Sequence, residues 1–336
     1  MPILGIMASQ IIGKLNVQYI AIGHNSTPFI SVFPWYPGFG TKYTNPATLP
    51  AGGGKVAFSP SGDTLATSST GSPYIHAYPW SNSSGFGTKY TNPATLPTGS
   101  GNGIKFSPSG ADIALAHNTS PYVSVYPWSS GFGTKYADPA TLPGGNCESV
   151  DFTPSGNAIA LAHTNPPYVS AYPWSSGFGT RYSGPSGSSV SDGVNFSPSG
   201  NQIAVAHDSS PYLSIYPWSP GFGTKYTNPA TLPTGAGIAV QFSPSGNDVM
   251  IAHVNSPYVS AYPWSPGFGT KYADPATLPG NTAQDIGFSP SGDTVAITSF
   301  SSPYVQVYPW SSGFGTKYAD PTPLPTNLGF GVKFKP

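Results

Sequence analysis

Seven tryptophans, each preceded by proline, recur at Trp35, Trp80, Trp128, Trp174, Trp218, Trp264 and Trp310, at spacings of 45, 48, 46, 44, 46 and 46 residues. A period in the forties held over seven copies restricts the chain to repeat architectures, in which each unit buries its apolar faces against its neighbours. Two further markers travel with the tryptophan. Phe-Ser/Thr-Pro-Ser-Gly begins at Phe58, Phe106, Phe152, Phe196, Phe242 and Phe288. Gly-Phe-Gly-Thr-Lys/Arg-Tyr follows every Trp and usually continues into Asn/Asp-Pro-Ala-Thr-Leu-Pro.

The 41 Gly and 40 Pro fall in register with these markers, and no segment longer than ten residues is free of both, which leaves no room for helix-pair repeats. The unit is all-β. In the repeat around Trp128 the turn signals divide it into strands Gly103 to Ser107, Asp112 to His117, Tyr122 to Tyr126 and Gly133 to Tyr136. Four antiparallel strands in a period of this length make one blade of a β-propeller, and seven periods predict a seven-bladed ring.

The ends of the sequence predict how the ring closes. Gly331-Val-Lys-Phe-Lys-Pro336 matches the first strand of the repeat and stops at its proline, whereas Val17 to Trp35 matches the second and third strands with no first strand before them. The C-terminal strand is therefore expected to complete the first blade, leaving no unpaired ring end. Residues 17–336 form one propeller domain in this reading, and residues 1–16 a separate N-terminal segment, a candidate attachment arm.

The order of residues within the unit, with a β-branched strand into Phe-Ser-Pro-Ser-Gly, a hydrophobic strand ending in Ala-His, and Tyr-Val-x-Val-Tyr, resembles WD40-type propeller repeats over residues 17 to 336. Tyr-Pro-Trp stands where that family has Trp-Asp, and the Gly-His dipeptide is missing, so the family's Asp–His–Ser–Trp network does not carry over. The Gly-Phe-Gly-Thr-Lys-Tyr and Pro-Ala-Thr-Leu-Pro segments resemble propellers encoded by tailed bacteriophages. The opening Met-Pro-Ile-Leu-Gly-Ile-Met-Ala-Ser-Gln is similar to the start of phage virion and tail proteins. The resemblance implies a virion location, with other virion proteins or a host-surface receptor or glycan as partners.

Composition narrows the function classes. Charged residues are 7% of the chain, 12 basic against 12 acidic, so no electrostatic term favours nucleic acid. No run of about 20 apolar residues is present to span a membrane, and the apolar start lacks the basic flank of a signal peptide. The single Cys147 excludes an internal disulfide framework.

Four sets of residues are candidate sites. Five histidines, His24, His117, His163, His207 and His253, share one repeat position, with Ser69 and Ser299 there in the other two units. Equivalent atoms of neighbouring blades stand about 10 Å apart, too far to share a metal, so these read as structural, each bonded to backbone within its own blade and replaceable by serine. A rim of Lys42, Lys89, Lys135, Arg181, Lys225, Lys271 and Lys317 reads as an edge guard, and the Asn/Asp before proline as an Asx turn. The seven Pro-Trp pairs are candidate glycan platforms, with packing between blades as the alternative.

The fourth set lies on the innermost strand. The position before Phe reads Ala57, Lys105, Asp151, Asn195, Gln241, Gly287 and Lys333, and it is expected to face a polar channel. Lys105, Asp151, Asn195, Gln241 and Lys333 are thus candidate partner-binding residues, with Asn102, Cys147, Glu148, Asp285 and the irregular loop Ser183 to Asp192 on the same variable face. No nucleophile elbow, zincin motif or P-loop occurs, and no cofactor or metal set is evident. Asp151 alone stands out as a channel carboxylate. The sequence therefore favours a non-enzymatic phage interaction platform, ahead of a multivalent lectin and a channel-centred hydrolase.

Overall fold

The computed structural model describes residues 17–185 and 187–336. The proposed attachment arm over 1–16 lies outside the described residues, as does Ser186 within the irregular loop. Among the described residues there are no helices, and 22 strands form seven antiparallel sheets. Each sheet is one blade. The third, for example, is Gly101–Phe106, Asp112–His117 and Val123–Pro127, in that order from the inside outward. The middle strands are the core of the molecule, and Asp112–His117 and Ala158–His163 are buried at every position.

The ring closes as the sequence predicts. Gly329–Phe334 pairs antiparallel with Gln18–His24 in the sheet that also holds Ile30–Trp35, with Ile22 opposite Val332 and Ile20 opposite Phe334. Val332 is buried against the last blade among Ala296, Val305 and Val307. The junction therefore joins both the sheet and the core.

The outermost strand is shorter than expected. Among the described residues only the second blade has a fourth strand, Gly85–Phe86; in the other six it shrinks to one bridge, such as Trp128 to Phe132. Turn length decides this: Trp80 and Phe86 lie six positions apart, which lets Ser81 pair with Gly85 as well, whereas four positions separate the bridged pair in the other blades, as in Trp128 to Phe132. Beyond the bridge the blades share the same two one-way bonds, in the third blade Gly133 N–H to Pro127 C=O and Tyr136 N–H to Val125 C=O, both at 2.9 Å; the proline has no N–H to return.

What the third marker does instead is fill the gap between blades. Trp128 is met edge-on by Phe106 and Phe132 of its own blade at 5.5 and 5.0 Å, and by Tyr90 of the preceding blade at 5.1 Å between ring centroids. The central Tyr126 hydroxyl reaches back 2.8 Å to Thr95 C=O, and Tyr78, Tyr172, Tyr262 and Tyr308 make the same bond to their own Pro-Ala-Thr-Leu-Pro segments. On the rim, Lys135, Lys271 and Lys317 pair with the aspartates three residues on, so this acidic position anchors the edge lysine.

The candidate glycan platforms are corrected by this packing. Trp35, Trp80, Trp128, Trp174, Trp218, Trp264 and Trp310 are between 3% and 9% exposed, and rings from two blades cover them, so no open face is presented to a sugar. Trp174 and Trp310 also donate their indole N–H to Asp112 and Asp248 of the preceding blade, at 3.1 and 3.2 Å. Truncating one such ring, Trp128→Ala, is expected to cost about 3–5 kcal/mol in urea-induced unfolding. An unchanged midpoint would show that the blade interfaces are held by something else.

The histidines act within blades. His117 Nε2 lies 3.1 Å from Ser124 Oγ, and His24, His163, His207 and His253 pair likewise with Ser31, Ser170, Ser214 and Ser260 at 2.9–3.1 Å. In the second blade the two residue types exchange places, Ser69 standing at the histidine position and His76 at the serine position. In the last blade Ser299 pairs with Gln306 at 3.2 Å.

Candidate functional site

Each inner strand carries the channel wall, and a shared irregularity decides which side chains enter the channel mouth. Pairing with the middle strand slips between Gly101 and Gly103, Cys147 and Ser149, Ser191 and Gly193, Gly237 and Ala239, and Ala283 and Asp285. The closing strand slips opposite Gly23 and His24. One residue per slip is left unpaired: Asn102, Glu148, Asp192, Ile238, Gln284 and Phe330. Such β-bulges bend the strand and re-aim a side chain. All six, with Lys55 of the second blade, line one cavity of about 380 Å3 at the mouth.

Below it the channel narrows to a space of about 120 Å3 lined by the predicted residues Lys105, Asp151, Asn195, Gln241 and Lys333. The structure brings all five together, but binds most of them into staples between inner strands. Asp151 accepts from Phe196 N–H at 2.8 Å and from Asn195 Nδ2 at 3.0 Å, and pairs with Lys105 Nζ at 2.9 Å. Asn195 Oδ1 accepts from Phe242 N–H at 2.9 Å. Asp285 accepts from Val332 N–H at 3.0 Å and from Lys333 Nζ at 3.1 Å. Asp151, the one carboxylate expected to matter, is thus committed to the ring.

The mouth differs. Glu148 and Asp192 sit on adjacent blades, half-buried, and neither makes a hydrogen bond among the described residues. Burial pushes the Asp192 carboxyl up to about 7, helped by the negative charges of Asp208 and Glu148 and opposed by Lys55. Burial raises Glu148 too, again against Lys55. The Lys55 ammonium donates to Gln284 C=O at 2.6 Å and stands 3.8 Å from Asp285, and burial lowers it below the ordinary lysine range. Burial alone would raise Asp285, but Lys333 and Lys55 hold it low. Lys105 is raised by its Asp151 partner.

Lys55, Ile238, Gln284 and Phe330 had no sequence signal of their own. Strict alternation along a strand places the residues one and three before Phe on one side. The bulge adds one residue and turns the fourth before Phe into the mouth. Cys147, expected on this face, is fully buried instead, and burial pushes its thiol well up.

No family model matches the sequence, and comparison with curated proteins finds no relative. Solved structures do match in shape. The periplasmic gluconolactonase of Pseudomonas aeruginosa superposes with a TM-score of 0.74 at 14% identity, covering 95% of this chain and 99% of that one. A protein named as a 6-phosphogluconolactonase from Bacteroides uniformis gives 0.66 at 15% identity, with 95% and 99% covered. The Cps50 (Swd1) β-propeller domain of Myceliophteria thermophila gives 0.63 at 12% identity, with 84% and 91% covered. These likenesses establish the propeller fold. The expectation of a non-enzymatic phage platform is corrected, because lactonase-named propellers stand among the neighbours and the mouth brings Glu148 and Asp192, which the sequence reading had put on this face without pairing them, into one cavity.

Proposed function

We propose that the chain hydrolyses a small, neutral lactone or ester in the mouth of its central channel. The observation that carries this reading is the pair of unbonded carboxyl groups, Glu148 and Asp192, lining one cavity of about 380 Å3 with the Lys55 ammonium. Fold likeness supports it only as precedent, since one fold hosts many chemistries.

The steps follow from the groups present. Asp192, raised to about 7, is both ionised and basic near neutral pH, as a general base must be. It takes a proton from water as the water oxygen attacks the carbonyl carbon. The C=O electron pair moves onto oxygen, where the Lys55 ammonium opposes the developing charge. Collapse re-forms the carbonyl and breaks the bond to the ring or alkoxy oxygen, which takes up the proton held by Asp192. One water is consumed, and one hydroxy acid, or an acid and an alcohol, leaves.

Charge argues for a neutral substrate. Lys55, Lys105 and Lys333 face Glu148, Asp151, Asp192 and Asp285 in one channel, so the two signs nearly cancel. Lys105 and Lys333 are already held by Asp151 and Asp285, and no cluster of free cations remains to clasp a phosphate.

Asp192→Asn is expected to lower kcat/KM by about 10²- to 10³-fold, measured by titrating the acid released from neutral lactones and esters. Because only the ionised base accepts the proton, the native rate should rise with pH through about 7, and the variant should lose that limb. A native protein that does not exceed spontaneous hydrolysis on any of these substrates overturns the reading.

A further inference from the structure

The six bulge positions are not chemically uniform around the mouth. Glu148 and Asp192 occupy the fourth and fifth blades, whereas Ile238 follows on the sixth and Phe330 lies across the channel on the first. Both apolar side chains are half-buried and line the same cavity as the carboxyl groups. Phe330 is braced from outside by Phe300, its ring edge-on at a centroid distance of 6.3 Å, so its position in the mouth is fixed by packing. In the second blade Gly54 stands where the other blades carry a bulged side chain, and a Cβ there would strike Ser68 C=O at 2.3 Å. Packing thus requires glycine at that place, and the space beside Phe330 stays open.

An apolar wall inside a cavity is poorly solvated when empty, and it selects ligands that cover it. A substrate that is polar all round would satisfy Lys55 and the two acids but leave Phe330 and Ile238 against its hydroxyl groups, whose desolvation is costly. A substrate with a polar ester at one end and a hydrocarbon substituent at the other satisfies both walls. From this division of the mouth we infer that the substrate is a lactone or ester carrying an alkyl or aryl substituent, its carbonyl at Asp192 and Lys55 and its apolar group against Phe330 and Ile238. The inference rests on the hydrolase reading and names the substrate class that fits it.

The experiment compares δ-valerolactone with δ-decanolactone, two neutral lactones with the same ring that differ by a five-carbon tail, on the full chain. Burial of part of that tail should raise kcat/KM for the substituted lactone by about 10- to 100-fold. Phe330→Ala and, on a separate blade, Ile238→Ser should each bring the ratio of the two kcat/KM values towards one. Because the ratio is internal to each protein, partial loss of folded material does not affect it, and Ile238→Ser reports even where Phe330→Ala weakens the closing strand. Equal turnover of the two lactones by the native chain overturns this inference while the hydrolase reading stands. Native preference that survives in both variants also overturns it, since the selection then lies elsewhere. Turnover of neither lactone, nor of any other neutral ester, removes the hydrolase reading and this inference with it.

Discussion

Acidification from pH 7 to pH 5 is expected to unfold the protein cooperatively, without any change in its covalent structure. Six histidines, His24, His76, His117, His163, His207 and His253, are 0–3% exposed, and burial lowers each from 6.5 to about 4. The folded values lie below the unfolded one, so the unfolded chain binds more protons between them. The stability contributed is complete above pH 6.5 and is lost as pH falls towards 4. At pH 5 each site has given up about 2 kcal/mol, and six together about 12 kcal/mol. That is comparable to the whole stability of an ordinary domain, about 5–15 kcal/mol.

Asp192, raised to about 7, and Glu148, also raised by burial, work in the opposite direction, but they are two groups against six. The last blade shows how to remove the effect at one site, since its Ser299–Gln306 pair has no titrating member. His163→Ser combined with Ser170→Gln should copy that pair and reduce the acid sensitivity by about one sixth of the total. Thermal melts followed by circular dichroism at pH 7 and pH 5 measure both. Equal melting temperatures at the two pH values would mean that the imidazoles are not buried in their neutral form.

Removing residues 329–336 is expected to open the ring. The segment supplies the inner strand of the first blade, the buried Val332 and Phe334, and the bond from Lys335 N–H to Tyr19 C=O at 2.8 Å. It also carries the backbone N–H that Asp285 holds from the last blade. Burial of the two side chains alone amounts to about 3–6 kcal/mol, and its loss leaves Ile20 and Ile22 on an unpaired edge, the usual start of edge-to-edge association. The truncated protein should therefore unfold at much lower urea and elute as aggregate. A synthetic peptide of residues 329–336, added in excess, should restore part of the native midpoint by mass action. A monomeric truncation with the midpoint of the full chain would show that the ring does not depend on this junction.

The fold was legible because its determinants are local and repeated. Proline and glycine at fixed intervals mark the turns, and Trp128, Phe132 and Tyr136 recur together because one blade interface needs all three ring types. Closure was legible in Val332 and Phe334, which repeat the first-strand pattern at the far end of the sequence. The outer strand was overestimated because its marker residues Gly133 and Tyr136 do bond back to the third strand, but the short turn from Trp128 to Phe132 leaves room for one bridge only. The site was half legible. Lys105, Asp151 and Asn195 were placed in the channel by alternation, yet alternation carries no information about bonds between blades, and those bonds commit them to structure. Glu148 was placed on the right face, and Asp192 only as the end of an irregular loop. The slip in register that brings both into one cavity depends on pairing with a strand whose sequence is uniform and gives no sign of it.

That slip has a consequence for how such a protein changes over time. Because the residue at each bulge takes no part in the ladder, it can be exchanged without disturbing the sheet that carries it, and six such places converge on one opening. The present set of Phe330, Asn102, Glu148, Asp192, Ile238 and Gln284 spans aromatic, aliphatic, amide and acidic side chains on scaffolds that are otherwise near-copies. The near-identical blades thus form a rigid frame on which the character of the opening is set at single positions, so a substitution there alters what the mouth presents without a new loop.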